Sequence, residues 1–324
     1  MARRNGASPA PPSCRYTQLL CAPPEAPERS FTLAGSLLVR PSACNLDHWR
    51  SCLADLLSTY PPGIWFVLLA AGVLIGLLAG LLGVGGGVVA VPVLIEVFDL
   101  IGLAEAPAVA LAVGTAQANI VIASLTAASA HWRAGTIDAP LVRAWLPALL
   151  AGTGLGLWMG AVASPSLLTG LFAAAALALA LKLGTGDRLV IARSLPTGAL
   201  GQVPPAVVGA LASAIGVGGG TLSTPVLSLF AFPIRRAIGA GALFNLVIAA
   251  PATMFFLAHD LGAPGRTADA AGDVALSCLA ALSLPALFVA PVSARWSGRV
   301  PVALLRRLFA LCLAAVAIRL LLRG

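Results

Sequence analysis

Charged residues make up only 10% of this 324-residue chain, against 59% hydrophobic, and its mean hydropathy is +0.96. A soluble globular domain carries roughly 25% charge, so that class is excluded and the chain requires lipid as its solvent. Lysine is nearly missing, with one residue against 19 arginines. The arginines gather in short loops, as at Arg235 and Arg236 or Arg306 and Arg307, where positive charge retains a loop in the cytoplasm. The net charge of +8 is therefore no sign of a nucleic-acid surface. Histidine is almost as scarce: His48, His131 and His259 lie near segment ends or outside them, and no GxSxG or HExxH run is present, which argues against an enzyme. The six cysteines form no CxxC pair, and Cys14, Cys21, Cys44 and Cys52 lack histidines at zinc-ligand spacing. No metal or other cofactor is expected. The period-2 alternation of a barrel strand is also absent.

What is present is long, nearly uncharged and rich in Ala, Leu and Gly. Apolar segments run approximately over 64–97, 107–130, 141–161, 166–183, 197–230, 237–258, 273–291 and 303–321. About 20 residues of helix span the roughly 30 Å hydrocarbon core, so the expected fold is an all-α, multi-pass integral membrane protein with eight hydrophobic segments. Residues 1–61 differ, being rich in Pro, Ser, Glu and Arg, and read as a disordered extension. Within them, Asn45 to Tyr60 could form a short surface helix. A polar linker over 184–196 divides the rest into two units, 62–183 and 197–324.

The two units repeat. GLLGVGGGVVAVPVL from Gly80 matches SAIGVGGGTLSTPVL from Ser213, setting Gly83, Gly85, Gly86, Gly87 and Pro92 over Gly216, Gly218, Gly219, Gly220 and Pro225. Weaker echoes follow: AVG at Ala112 with AIG at Ala237, and LPAL at Leu146 with LPAL at Leu284. Each glycine costs a helix interior about 1 kcal/mol, so both glycine segments should break or re-enter. Broken backbone inside a membrane survives only where protein or a watery cavity satisfies it. A new helix N-terminus there presents N–H groups and partial positive charge to an anion. GVGGG lacks the Lys-Ser/Thr of a nucleotide loop and the GxGxxG spacing. Gly72, Gly76 and Gly80, four residues apart, read instead as helix packing.

Loop charge suggests how the units are oriented. After the first glycine segment the loop is acidic (Glu96, Asp99, Glu105) and the next is basic (Arg133, Arg143). In the second unit Arg235 and Arg236 come first, and Asp260, Asp269 and Asp273 follow. If every segment crossed once, the units would share one orientation and the basic loops of the second would lie outside. If each glycine segment returns to its own side, the units are inverted and these loops obey the positive-inside rule, with Arg319 and Arg323 near the C-terminus counting against it.

Polar residues inside apolar segments complete the candidate site. Thr115, Gln117 and Asn119, with Asn245 in the matching segment, could donate hydrogen bonds to an anion or link helices. Thr221 and its neighbours Ser223 and Thr224 could do the same or bond their own helix. His131, Trp132 and Arg133 read as an interface anchor, and Lys182 and Arg319 as snorkelling ends.

The twin GxGGGxxxxPxL motifs, AVGT at Ala112, HWRAGTID from His131 to Asp138 and the run from Leu304 resemble the TauE/SafE family of sulfite exporters and DUF81-type permeases. The resemblance covers roughly residues 62–323. It implies a permease moving small anions, sulfite or organosulfur anions, across the cytoplasmic (inner) membrane, with the motif glycines, Pro92 and Pro225 on the path. Expected partners are the lipid bilayer and a small anionic substrate, with no nucleic acid. Few acids occur in the membrane segments, and a divalent anion leaving an inside-negative cell gains about 4.6 kcal/mol at 100 mV, so export is favoured over import. The rival readings are an assembly partner without transport of its own and, more remotely, a membrane-embedded enzyme.

Overall fold

The computed structural model describes residues 60–185, 190–196, 198–258, 267, 269–296 and scattered positions from 301 to 318. The chain divides into two units, Met1–Tyr60 and Pro61–Gly324. The second is treated below; the surface helix expected before Tyr60 lies outside the described residues.

The described part is mostly helical: α1 (Pro62–Leu82), α2 (Gly87–Leu100), α3 (Glu105–Arg133), α4 (Ala139–Val162), α5 (Pro165–Thr185), α6 (Val203–Ala214), α7 (Gly219–Leu229), α8 (Ile234–Ala258) and α9 (Leu276–Trp296). A 3-10 turn, Gly198–Gln202, precedes α6, and a two-residue hairpin, β1 (Ala270–Ala271) with β2 (Val274–Ala275), precedes α9. Among the described residues, six helices are long and apolar enough to cross a membrane: α1, α3, α4, α5, α8 and α9. Lipid-facing surface is apolar, as Phe66, Trp158, Met254 and Phe288 show by their exposure. The first and fifth apolar segments are each divided by their glycines, into α1 and α2 and into α6 and α7.

Glycine registers fix the helix directions. On α1, a methyl added to Gly72 would meet Leu282, one on Gly76 would meet Ala286, and one on Gly80 would meet Ala290 and Ser293, so α1 and α9 run parallel with their backbones nearly touching. Gly152, Gly156 and Gly160 of α4 face Ala206, Ala210 and Ala214 in the same way, making α4 and α6 the matching parallel pair. Small residues permit this approach, which in lipid replaces hydrophobic burial as the source of helix association. Hydroxyls reinforce both seams: Ser293 donates to Gly76 O (2.9 Å) and Ser213 to Thr153 O (3.1 Å).

The central helices α3 and α8 run antiparallel, since Gly114 lies against Phe256 near one end while Ala127 and Ala128 pack with Ala242 near the other. Helix α2 runs back along α3, with Gly87 against Ile120 and Ile95 packing with Val109. Helix α7 runs back along α8, with Gly220 against Gly241 and Thr224 donating to Ala237 O (3.5 Å). His131, near the end of α3, meets Gly80 near the end of α1 (Nε2 to O, 3.3 Å), so α1 runs with α3. Consequently α1 begins, and α2 finishes, at the end of the bundle where α3 starts. By the same reasoning α6 begins and α7 finishes at the opposite end.

These ends differ in charge. The first carries Glu96, Asp99 and Glu105, and the other carries Arg133, Arg143, Arg235, Arg236 and Arg295. They are called the acidic and basic ends below. At the basic end Arg236 meets Asp138 (3.4 Å), the residue whose carboxylate also caps α4 by accepting from Leu141 N (3.1 Å). Two of the acids counted as loop charges are interior: Asp269 is 2% and Asp273 0% exposed. Asp269 accepts from Ser277 N (2.9 Å), capping α9, because a buried helix start needs a partner for its free N–H groups. His131 also departs from the expected interface anchor. It is buried at 3% exposure, while its neighbours Trp132 and Arg133 are exposed.

Candidate functional site

Both glycine segments stop a helix and start another inside the protein. At the first hinge, α1 is closed by Gly83 in the left-handed conformation (φ 65°), its N–H donating to Ala79 O (3.0 Å). Glycine populates that region without the steric cost of a Cβ. Gly85 and Gly86 are also at positive φ, and α2 begins at Gly87. At the second hinge only Gly216 (φ 72°) is left-handed; Gly218 is extended (φ −62°, ψ 143°) and α7 begins at Gly219.

The hinges cross. A methyl on Gly218 would lie 3.3 Å from Gly85 Cα, one on Gly220 would collide with Gly83 O, and one on Gly87 would collide with Gly216 O. No side chain larger than hydrogen fits at these contacts without moving backbone. Asn245 of α8 joins the two hinges: Nδ2 donates to Gly83 O (2.9 Å) and Oδ1 accepts from Gly220 N (2.6 Å). Thr221 adds a third tie, donating to Val84 O (2.9 Å). Gln117 of α3 donates to Ala212 O (3.1 Å) near the end of α6, a carbonyl that also accepts from Val217 N (3.0 Å). Breaking a helix in a membrane leaves such groups without partners, and these side chains supply them.

Of the residues singled out in the sequence, Gly83, Gly85, Gly218, Gly220, Thr221 and Asn245 thus come together, with Gly87 and Gly216 making the matching backbone contact. Gly86 packs on Ile75 of α1, and Gly219 on Ile248 and Phe244 of α8. Pro92 and Pro225 are buried inside α2 and α7, where the missing N–H interrupts the helix ladder. Thr115 is not at the crossing: its hydroxyl accepts from Ala275 N (2.9 Å), holding the start of α9 near the acidic end. Asn119 is fully buried and accepts from Ser283 of α9 (2.9 Å), while its Nδ2 has no partner among the described residues.

The electrostatics follow from the backbone. Two helix N-termini, of α2 and α7, lie buried at one crossing, each carrying partial positive charge, and the side chains bonded there are uncharged amides and hydroxyls. Beside the second hinge is a small apolar crevice lined by Val91, Ile95, Val109, Val113, Phe172 and Ile215.

Ser213, Ser283 and Ser293 were not singled out in the sequence, though each ties helices far apart in the chain. A serine in an Ala/Leu segment gives little local signal. The signal that existed was registry with small residues: Ser293 stands opposite the Gly76 and Gly80 stripe, and Ser213 opposite Gly156.

The sulfite exporter TauE/SafE family matches residues 68–320. A curated relative from Haemophilus influenzae, called a probable membrane transporter protein, is 30% identical over 263 residues, covering 80% of this chain and 99% of the relative. No solved structure matches the chain. The glycine hinges, the six apolar helices and these two matches agree: the chain belongs to the TauE/SafE sulfite exporter family and is a multi-pass membrane transporter, not an enzyme.

Proposed function

We propose that this transporter is a permease for small anions, sulfite or organosulfur anions, acting at the hinge crossing in the cytoplasmic membrane. The observation that carries this reading is the burial of two helix N-termini at one crossing, near the fully buried Asn119, whose Nδ2 donor lacks a partner among the described residues. Unpaired donors and partial positive charge suit an anion and disfavour a cation. The hinge glycines Gly85, Gly216, Gly218 and Gly219 would lend N–H groups, with Asn119 adding a side-chain donor; the N–H groups of Gly83 and Gly86 are already taken up by Ala79 O and Val84 O.

The halves 62–183 and 197–324 are inverted repeats in this reading. Support comes from the antiparallel α3 and α8, the exchange of α1·α9 for α4·α6, and the return of each glycine segment to its own end. The basic end is then cytoplasmic. Export is the favoured direction, because each negative charge leaving an inside-negative cell gains about 2.3 kcal/mol per 100 mV.

Flux in proteoliposomes, comparing sulfite, thiosulfate, sulfoacetate and chloride, tests this. Sulfite or an organosulfur anion should move faster than chloride, and Gly86→Leu and Gly219→Leu, checked for monodisperse elution, should abolish the flux. Unchanged flux in both variants would reject the crossing as the site.

A further inference from the structure

Asn119 and Asn245 hold matching places. Each opens an Asn-x-Val-Ile-Ala run, NIVIA at 119–123 and NLVIA at 245–249, near the middle of the long helix that follows a glycine segment. The backbone around them is matched too. Gly83 C=O lies against Gly220 and Gly216 C=O against Gly87; these are the same contact under the repeat, which sets Gly83 over Gly216 and Gly87 over Gly220.

Their side chains behave differently. Asn245 bridges its pair, from Gly83 O (2.9 Å) to Gly220 N (2.6 Å). Asn119 does not bridge the other pair: its Oδ1 accepts from Ser283, its Nδ2 is buried without a partner among the described residues, and Ile120 lies against Gly87 instead. Packing follows the same asymmetry. The crevice at Val91, Val113 and Ile215 adjoins the unbridged pair, whereas beside the bridged pair Thr224 closes on Ala237 and Gly241. A buried donor left unpaired is costly, and such a cost persists where the group has work in another state.

We propose that Asn119 and Asn245 are alternating latches, positioning residues that take turns in bridging the two hinge pairs during transport. Asn245 holds the crossing shut toward the basic end in this structure, and Asn119 bridges Gly216 C=O and Gly87 N–H to shut it toward the acidic end in the opposite state. The proposal rests on the permease reading. Exchange of equivalent contacts between inverted halves is a direct way to expose one site to two sides in turn.

The test uses the full chain without cysteines, reconstituted in vesicles, with Ile238→Cys beside Gly83 and Val113→Cys beside Gly216 as separate reporters. The rate of modification by a membrane-impermeant methanethiosulfonate is measured from each face. Asn245→Leu should raise the Ile238→Cys rate from the basic face about tenfold and lower the Val113→Cys rate from the acidic face, the effect of losing two hydrogen bonds from one state. Asn119→Leu should do the reverse, and the double variant should return both rates toward the parent. If Asn245→Leu does not elute as a folded species, Asn245→Ser, too short to span the pair, carries the same expectation. Rates that rise together, or do not move, would overturn the latch. The readout needs no substrate, so reciprocal shifts without anion flux would remove the anion reading alone, and anion flux without reciprocal shifts would remove the latch alone.

Discussion

The two hinges share the sequence Gly-Val-Gly-Gly-Gly and differ in shape. The first places Gly83, Gly85 and Gly86 at positive φ, the second only Gly216. The first is bridged to α7 by Asn245, while at the second the corresponding contact between Gly216 and Gly87 has no asparagine across it. Identical local sequence therefore leaves the hinge conformation open, and the helices packed around it decide the outcome. That one five-residue sequence takes two shapes within one molecule is what the proposed exchange of latches requires of its hinges.

The largest expected effects come from filling the close contacts. Gly220→Ala would drive a methyl into the carbonyls of Gly83 and Gly241, all backbone, whereas Gly87→Ala meets Gly216 O and, less closely, Val217 Cα, together with the mobile end of Ile120. Overpacking costs about 1–3 kcal/mol and more where backbone must shift, so Gly220→Ala should lower the thermal unfolding midpoint in detergent more than Gly87→Ala. Equal effects would mean that the two crossings are equally rigid.

Asparagine removal sharpens the comparison. Asn245→Leu strands the Gly83 carbonyl and the Gly220 N–H in the interior and should cost about 2–4 kcal/mol, from about 1–3 for each orphaned group with partial relaxation. Asn119→Leu breaks one bond to Ser283 and removes an unpaired donor, so its cost should stay near 1 kcal/mol or below. Denaturant or thermal unfolding of both variants measures the difference, and a costlier Asn119→Leu would contradict the assigned asymmetry.

Smaller effects separate packing glycines from idle ones. Gly156 faces Ala210 and Ser213 across the α4–α6 seam, and Gly154, two residues earlier, has nothing within 4 Å. Gly156→Ala should destabilise by about 1–3 kcal/mol, while Gly154→Ala should be neutral or stabilise by up to about 1 kcal/mol through helix propensity. Least of all, Arg236→Ala should change stability by about 0–1 kcal/mol, because the exposed arginine meets Asp138 in water and salt screens the pair.

Much of this was legible in the sequence. The family resemblance, the membrane class and the places where the glycine segments divide are written in local runs. Legibility ended where partners are distant. Asn245 reaches Gly83 across 162 positions and Gln117 reaches Ala212 across 95, and no local pattern names such pairs. Thr115 was read with the same polar group as Asn119, yet it serves the start of α9: the two share a helix face and both meet that side of the bundle, but Thr115 stands one turn nearer the acidic end. Asp269 and Asp273 read as loop charges because their segment is polar, but the hairpin before α9 folds inward and buries them. His131 was placed by its charged neighbours, and the Gly80 carbonyl that it meets lies 51 positions away.

The inverted pair of returning glycine segments is tested most directly by the sidedness of their ends. Asp99, at the close of α2, and Arg235, in the first turn of α8 beyond the end of α7, are both exposed and suit single-cysteine substitution. In intact cells a membrane-impermeant maleimide should label Asp99→Cys from outside and reach Arg235→Cys only after permeabilisation. Labelling of both positions from the same face would contradict the inverted arrangement and, with it, the crossing as a site shared by two opposed hinges.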